Sequence, residues 1–172
     1  MRKVILVGYM AVGKTTIASL LSKKIKINTV DIDQLIEHKI GLSINEIFEK
    51  KGEIYFRKLE HELFEQLIKN NENLIISTGG GTPCYSNNHL LLNQKNVTSI
   101  YLKASLKIII ERLLIAKNNR PLLANKSLNE LEEFVAKHLF ERSYYYNQAN
   151  FSISTDDKNV ETIVEEINLL LN

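Results

Sequence analysis

The residues best suited to chemistry lie near the start of the chain, in a loop at residues 8–15 with the sequence GYMAVGKT. The loop follows an apolar run at residues 4–7 and precedes a helical pattern, which is the context of a phosphate-binding loop. Glycines let successive backbone N–H groups point at anionic oxygens, and the helix N-terminus adds further N–H groups. Lys14 would place a positive charge near the β- and γ-phosphates, and the Thr15 hydroxyl can bind Mg²⁺. The pattern therefore predicts a nucleotide phosphate site rather than an ordinary strand–turn–helix corner.

Two carboxylates follow in a short segment predicted to be extended, residues 28–33. Because alternate side chains of an extended chain project to one side, we expect Asp31 and Asp33 to face the same crevice. One carboxylate would hold the Mg²⁺ shell, and the other would take a proton from an attacking hydroxyl. A structural interpretation stays open, in which Asp33 caps the helix that follows.

The scaffold that must position these residues alternates strand-like and helix-like patterns. Strands are predicted at residues 4–7, 28–33, 74–78, 97–102 and 151–155. Helices are predicted at residues 14–25, 34–40, 44–51, 53–70, 106–116, 128–146 and 160–171. Repeated strand–helix units predict an α/β fold, in which helices cover both faces of a parallel sheet. The ligand crevice should lie at the carboxyl ends of the strands, where the glycine loop, both aspartates and the glycines at 79–81 fall.

Composition excludes several classes of function. The chain has 172 residues and a formal net charge of +2, which favours one domain and gives no indication of nucleic-acid binding. Cys84 is the single cysteine, so no intramolecular disulfide ties the chain to an oxidising compartment. No apolar run approaches the roughly 20 residues of a membrane span. We therefore expect a cytoplasmic protein without a membrane partner.

Longer segments resemble the shikimate kinase family in order and spacing over nearly the whole chain. The more specific segments are residues 43–48 (SINEIF) and 52–60 (GEIYFRKLE). Residues 79–81 (GGG) also match, residues 120–123 (RPLL) resemble the lid of that family, and residues 141–146 (ERSYYY) resemble its substrate-binding helix. Together with the glycine loop and the aspartate pair, these segments carry the resemblance.

The resemblance implies transfer of the γ-phosphoryl group of ATP to the 3-hydroxyl of shikimate, within aromatic amino acid biosynthesis. It also implies a three-layer P-loop kinase fold of the nucleoside-monophosphate-kinase type, with a five-stranded parallel sheet and usually a monomeric state. Residues 1–172 would then form a single kinase domain, with a substrate-binding segment at about 33–60 and a lid at about 117–127.

Residue by residue, the resemblance assigns Lys14, Asp33 and Arg120 to catalysis. Asp33 would hydrogen-bond the shikimate hydroxyls and act as base, and Arg120 would swing in with the lid toward the phosphates. Thr15 and Asp31 would organise Mg²⁺. The residues implied in shikimate binding are Asp33, Arg57, Gly80 and Arg142. The residues implied in ATP binding are Ala11, Val12, Gly13, Lys14, Thr15, Thr16, Arg120 and Lys158.

Planar arginine side chains suit the carboxylate of a small acid, because a guanidinium can bind both carboxylate oxygens. Arg57 lies at the edge of the apolar face of the long helix, and Glu60 is within helical reach and could fix its rotamer. Without the family motif, Arg57 and Arg142 would each be interpreted as a solvated charge on a helix surface. Three nearby apolar side chains either line the site or belong to the core: Ile44, Phe48 and Phe56.

Two positions depart from the family pattern. Shikimate kinases usually have glycine where this chain has Ala11, which narrows the backbone options of the loop. The family often has an arginine near the adenine, where residues 155–159 of this chain read TDDKN. Lys158 or Arg112 is the candidate to replace that arginine. Cys84 and the four histidines show no metal-ligand or catalytic motif, and we interpret them as structural.

The residues alone leave two other functions open. The first is another small-molecule kinase on the same scaffold, acting on gluconate or a nucleoside monophosphate. A nucleotide acceptor would need a base pocket and additional arginines, and the sequence offers no such set. The second is a non-catalytic nucleotide switch, which would not need Asp33, Arg57 and Arg142.

Overall fold

The computed structural model describes residues 2–115 and 127–171. The strands are β1 (Lys3–Val7), β2 (Asn28–Asp31), β3 (Leu74–Ser77), β4 (Val97–Lys103) and β5 (Phe151–Ser154). The α-helices are α1 (Lys14–Ile25), α2 (Ile32–Ile40), α3 (Ile44–Lys51), α4 (Glu53–Lys69), α5 (Leu106–Ile115), α6 (Leu128–Tyr146) and α7 (Val160–Leu171). Two short 3₁₀ helices, Thr82–Cys84 and Asn88–Asn93, lie between β3 and β4.

All five strands form one sheet in the order β2-β3-β1-β4-β5, and every neighbouring pair is parallel. Strand β1 is central, with Val4 beside Ile75 of β3 and Thr98 of β4. Every residue of β1 is buried, as expected for the central strand of a parallel sheet. The predicted five-stranded parallel sheet is confirmed. Because the strands are parallel, the loops after their carboxyl ends meet at one edge of the sheet.

Capping residues set several helix boundaries. The Ser43 side chain accepts a hydrogen bond from the Glu46 N–H, and the Glu46 carboxylate accepts one from the Ser43 N–H, which forms a capping box at α3. Ser127 and Glu130 form the same motif at α6. Gly41 follows α2 with φ 72°, a left-handed conformation that commonly ends helices. These signals are local, and the predicted bounds of α1, α6 and α7 agree with the observed ones.

The prediction that residues 28–33 are extended is wrong for the last two residues. Strand β2 ends at Asp31, and α2 begins at Ile32. The Asp31 side chain accepts hydrogen bonds from the N–H groups of Asp33 and Gln34, so this carboxylate starts the helix. Asp31 therefore caps α2, and the interpretation of Asp33 as the cap is also wrong.

Other boundary differences are one residue long, and the two 3₁₀ helices were not predicted. The predicted helix at 53–70 ends at Lys69, and the predicted strands at 74–78 and 151–155 end at Ser77 and Ser154. Ala116 of the predicted helix at 106–116 lies outside the described residues. Of the predicted lid at 117–127, only Ser127 lies within them.

The core lies between the sheet and the apolar faces of the helices. Its two largest fully buried side chains are Tyr9, in the glycine loop, and Tyr146, at the end of α6. Both belong to segments that the sequence connects with function, so the core extends directly beneath the candidate site. Within the described residues, no helix combines the length and the apolar character needed to cross a membrane.

Candidate active site

The loop between β1 and α1 has the backbone conformation that an anion site needs. Gly13 precedes α1 with φ 96°, and among the described residues no side chain caps this helix, so its N-terminus suits an external anion. Lys14 Nζ donates to the carbonyl oxygens of Gly8 and Tyr9 at 2.8 Å each, which holds the ammonium across the loop. At Gly8 (φ 145°) a Cβ would lie 2.5 Å from the Leu102 carbonyl oxygen, so only glycine fits there.

A cleft of about 240 Å³ lies over this loop, at the carboxyl ends of the central strands. Its lining contains most of the predicted phosphate, metal and acceptor residues, namely Ala11, Gly13, Lys14, Thr15, Thr16, Asp31, Asp33 and Gly80. Met10 and Thr78, which were not predicted, complete the lining. A larger and more open groove of about 630 Å³ lies at the opposite, amino-terminal edge of the sheet. That groove is lined by Arg2, Asn73 and residues 96–98, and it contains none of the predicted site residues.

Ala11 keeps the backbone conformation that a glycine would adopt without strain. Its φ is 64°, in the left-handed region. A side chain in that region costs on the order of 1–2 kcal/mol relative to the right-handed conformation. Position 11 is therefore left-handed although this chain has alanine there instead of glycine, and the alanine imposes a modest local strain.

The two predicted Mg²⁺ ligands lie side by side in the cleft. The Thr15 hydroxyl donates to Asp31 Oδ2 at 2.7 Å, and the Ser77 hydroxyl donates to the same oxygen at 2.9 Å. The other Asp31 oxygen caps α2. Within residues 2–115 and 127–171, no cluster of three His, Cys, Asp or Glu side chains is arranged to hold a metal ion. The hydroxyl and carboxylate fit Mg²⁺ because this ion commonly takes one or two protein oxygens together with phosphate oxygens and water.

Asp33 lies in the first turn of α2 and lines the cleft. Burial, together with the nearby carboxylates of Glu60 and Asp31, raises the pKa of the Asp33 carboxyl to about 6. The positive charges of Lys14 and Arg57 act in the opposite direction. A carboxylate with a pKa this close to neutrality can both hold and release a proton, which is the property of a general base.

Arg57 is held by two carboxylates of its own helix. Its Nε donates to Glu53 Oε1 at 3.2 Å, and its Nη1 donates to Glu60 Oε2 at 2.8 Å. Glu60 is completely buried, and its second oxygen accepts a hydrogen bond from the Thr82 hydroxyl at 2.6 Å. The predicted contact between Arg57 and Glu60 is confirmed. Because only 15% of the Arg57 side chain is exposed, its interpretation as a solvated surface charge is wrong.

The glycines at 79–81 are required by close packing rather than by backbone conformation. None of the three has a positive φ. A Cβ at Gly79 would lie 2.8 Å from Asp33 Oδ1, and a Cβ at Gly81 would lie 2.8 Å from Arg57 Nη2. A Cβ at Gly80 would lie 3.3 Å from the backbone nitrogen of Met10. The glycines thus let the turn pass against both predicted acceptor residues and the phosphate loop, and a plain flexible turn does not describe them.

Arg142 reaches the same glycines from α6. Its Nη1 donates to the Gly80 carbonyl oxygen at 3.4 Å, and the Tyr146 hydroxyl donates to that oxygen at 2.5 Å. Tyr146 is fully buried and stacks on Tyr101 of β4, with ring centroids 5.1 Å apart. The structure therefore brings Arg57, Arg142 and Gly80 together. The sequence analysis missed the contact of Tyr146, and the only signal for it was its place in residues 141–146.

The predicted adenine contacts are not brought to the cleft. Lys158 Nζ pairs with the Glu166 carboxylate at 2.7 Å and does not belong to the described lining of the cleft. Arg112 Nη1 donates to the carbonyl oxygens of Ala11 and Val12 at 3.4 and 3.2 Å, so it supports the back of the phosphate loop. Arg120 lies outside the described residues.

Cys84 and two of the four histidines have structural surroundings. Burial raises the pKa of the Cys84 thiol to about 11, so the thiol is protonated at neutral pH and is a poor nucleophile. His61 Nδ1 lies 2.7 Å from Asn88 Oδ1, and His138 Nδ1 lies 3.1 Å from the Tyr9 hydroxyl. These contacts agree with the sequence interpretation.

Comparisons with known protein sequences agree with this geometry. The family profile described as Shikimate kinase matches residues 10–172. A shikimate kinase from Flavobacterium psychrophilum is 53% identical over 171 residues, which cover 99% of this chain and 99% of the relative. A shikimate kinase from Sulfurihydrogenibium sp. is 43% identical over 97% of this chain and 96% of the relative.

Two solved structures resemble the fold over almost its whole length. The shikimate kinase from Bacteroides thetaiotaomicron has a TM-score of 0.91 at 32% identity, and the match covers 99% of this chain and 98% of that one. The shikimate kinase from Acinetobacter baumannii, solved in complex with shikimate, has a TM-score of 0.88 at 30% identity and covers 99% and 93%. These neighbours confirm the predicted P-loop kinase fold. On sequence and structure alike, the chain belongs to the shikimate kinase family.

Proposed function

We propose that the protein transfers the γ-phosphoryl group of ATP to the 3-hydroxyl of shikimate, giving shikimate 3-phosphate and ADP in the biosynthesis of chorismate and aromatic amino acids. The arrangement around one cleft carries this proposal. The cleft is lined by the phosphate loop with Lys14 and by the carboxylate of Asp33. The glycines beside the cleft are contacted by Arg57 and Arg142. A donor phosphate, an attacking hydroxyl and an acceptor carboxylate each have a matching group there. Membership of the family supports the same reaction.

The loop between β1 and α1, together with the start of α1, would bind the phosphates of ATP. Backbone groups of residues 11–16 would bind the β- and γ-phosphates, with the ammonium of Lys14 stabilising their charge. Thr15 and Asp31 would hold Mg²⁺, which supplies charge neutralisation on the phosphates when bound. Phosphoryl transfer gains most from such positioning and charge stabilisation, so this end of the cleft would supply most of the catalysis.

Asp33, Arg57 and Arg142 would bind the acceptor, shikimate. Asp33 would orient the attacking hydroxyl and accept its proton. With a pKa of about 6, the carboxyl is mostly ionised at neutral pH and still more basic than an ordinary aspartate. Arg57 and Arg142 would bind the carboxylate of shikimate, and the backbone of Gly80 would approach its ring, since residues 79–81 leave room for close contact.

The pH dependence of the reaction should follow the ionisation of the Asp33 carboxyl. Because the base must be ionised, we expect kcat/KM for shikimate to fall about tenfold per pH unit below pH 6, the pKa of its carboxyl, and to be nearly level above about pH 7. Steady-state kinetics between about pH 5 and about pH 8, at saturating ATP and Mg²⁺, would measure this fall in kcat/KM. If kcat/KM stayed level down to about pH 5 and fell only at about pH 4, the ordinary pKa range of aspartate, the raised pKa would be contradicted.

The arginine pair should determine affinity for the acid. Arg57→Lys and Arg142→Lys each lose the planar, two-pronged contact, so we expect each to raise the KM for shikimate roughly ten- to a hundredfold. Lysine is the better substitution at position 57, because Arg57→Ala would leave the buried carboxylate of Glu60 without its partner and destabilise the fold by about 3–5 kcal/mol. The KM for ATP should change little, since neither arginine lies in the phosphate loop.

Methyl shikimate provides the matched control for this prediction. The ester lacks the negative charge, so wild type should use it poorly and Arg57→Lys should change its KM little. If wild type phosphorylates the ester as well as the acid, the arginines do not bind a carboxylate, and the acceptor must be sought among neutral polyols.

Finer aspects of the proposal follow from the family resemblance. We propose a single kinase domain over residues 1–172 that acts as a monomer in the cytoplasm, with a substrate-binding segment at about 33–60. The lid at about 117–127 would bring Arg120 toward the phosphates. Lys158 remains the proposed adenine contact, which would require its ammonium to leave Glu166.

A further inference from the structure

Aromatic rings surround the guanidinium of Arg57 in addition to its two carboxylates. The guanidinium carbon lies 5.9 Å from the ring centroid of Phe48, 5.0 Å from that of Phe56 and 4.1 Å from that of Tyr85. Phe48 and Phe56 also pack against each other, with centroids 4.8 Å apart. Phe56 is 2% exposed and belongs to the core, and the partly buried Phe48 packs against that core. Tyr85 is different, because it lies in the loop after the 3₁₀ helix Thr82–Cys84 and is 37% exposed.

The loop that carries Tyr85 wraps around Arg57. Gly81 at its start passes so close that a Cβ there would lie 2.8 Å from Arg57 Nη2. The Thr82 hydroxyl donates to Glu60, the buried partner of Arg57. Four residues after Gly81, the ring of Tyr85 covers the guanidinium at the shortest of the three ring distances. The backbone thus encloses Arg57 on one side, and the tyrosine ring encloses it on another.

Tyr85 also connects to the outer carboxylate that orients Arg57. Burial raises the pKa of the Tyr85 hydroxyl, the nearby charge of Arg57 lowers it, and the nearby carboxylate of Glu53 raises it. Glu53 accepts a hydrogen bond from Arg57 Nε at 3.2 Å. Glu53 is about half exposed, so water competes for this outer contact. A ring over the guanidinium limits access of water to the cation, and an arginine bond to a carboxylate is stronger where water is excluded.

We propose that Tyr85 is a positioning residue of the acceptor site, whose ring holds the guanidinium of Arg57 in place and excludes water from it. The inference deepens the proposed function, because it assumes that Arg57 binds the carboxylate of the acceptor. Tyr85 acts through Arg57 and does not itself touch the reacting atoms. Its contribution should therefore be to the binding of the acid and not to phosphoryl transfer.

Substitutions at Tyr85 can separate the ring from the hydroxyl. Tyr85→Leu keeps an apolar side chain without an aromatic ring, and we expect it to raise the KM for shikimate roughly three- to tenfold. Tyr85→Phe retains the ring and should stay within about twofold of wild type, since the cation–π contact needs only the ring. The kcat and the KM for ATP should not change in either variant. Phe151→Leu is the control, because Phe151 is an aromatic residue of similar exposure, 39%, and lies at the start of β5, outside the candidate site.

A double-mutant cycle tests whether Tyr85 works through Arg57. In the Arg57→Lys background, Tyr85→Leu should raise the shikimate KM by clearly less than in wild type. An unchanged KM in Tyr85→Leu, an equal loss in Tyr85→Phe, or full additivity in the cycle would each overturn the inference. Because wild type is assayed in parallel, these outcomes differ from failure of the proposed function, in which wild type itself would not phosphorylate shikimate.

Discussion

Replacing Lys14 with alanine is expected to lower kcat by roughly a hundred- to a thousandfold, the size of effect seen when one charge-stabilising donor is removed from an active site. Lys14 is 8% exposed and spans the phosphate loop, where its ammonium donates to the carbonyl oxygens of Gly8 and Tyr9. When ATP is bound, the same ammonium should stabilise the charge on the transferring phosphoryl group. Steady-state ADP release at saturating substrates measures the loss.

The control for this prediction must separate catalysis from folding. Lys14→Ala leaves two loop carbonyls without this donor, so we expect a stability loss of about 1–3 kcal/mol and a native fold at 25 °C. Lys23→Ala removes an exposed lysine from the same helix and should keep wild-type kcat. Near-normal turnover in a folded Lys14→Ala protein would contradict the proposed kinase activity.

Asp33→Asn should lower kcat by about a hundred- to ten-thousandfold, because it removes the group proposed to accept the proton of the attacking hydroxyl. The amide has nearly the same shape, so ATP binding measured by calorimetry should be largely unchanged. The substitution should not destabilise the protein at neutral pH. Burial and the negative charge of Glu60 raise the pKa of Asp33 to about 6 in the folded state, so ionising this group costs stability as the pH rises from about 4 to about 6. A neutral amide removes that cost.

Asp31→Asn provides the contrast. Asparagine also caps helices well, so α2 should remain intact. The variant loses a charged ligand candidate and should need more Mg²⁺ for half-maximal activity, while retaining more kcat than Asp33→Asn. If Asp33→Asn abolished ATP binding instead, the roles assigned to the two carboxylates would be wrong.

The sequence predicted what local patterns determine. The glycine loop between β1 and α1, the bounds of α6 and α7, and the helical reach from Arg57 to Glu60 depend on residues close together in the chain, and each was located correctly. The extension of β2 through Asp33 failed because the side chain of Asp31 competes for the next N–H groups and starts a helix.

Contacts between distant segments could not be predicted in the same way. The need for glycine at position 79 arises from Asp33, 46 residues earlier in the chain, through a close approach that only the folded backbone reveals. The contacts of Tyr146 with Gly80 and of Tyr85 with Arg57 likewise join separate elements. An aromatic residue in a polar segment has no periodic pattern that would indicate its partner.

The most direct test of the proposed function is the reaction itself. The purified protein is incubated with ATP, Mg²⁺ and shikimate, gluconate or a nucleoside monophosphate in parallel. ADP release is followed by a coupled assay, and the phosphorylated product is identified by phosphorus NMR. We predict that ADP forms in step with shikimate 3-phosphate and that the other acceptors give only the background of ATP hydrolysis. ADP release that depends on gluconate or on a nucleoside monophosphate, but not on shikimate, would contradict the proposal.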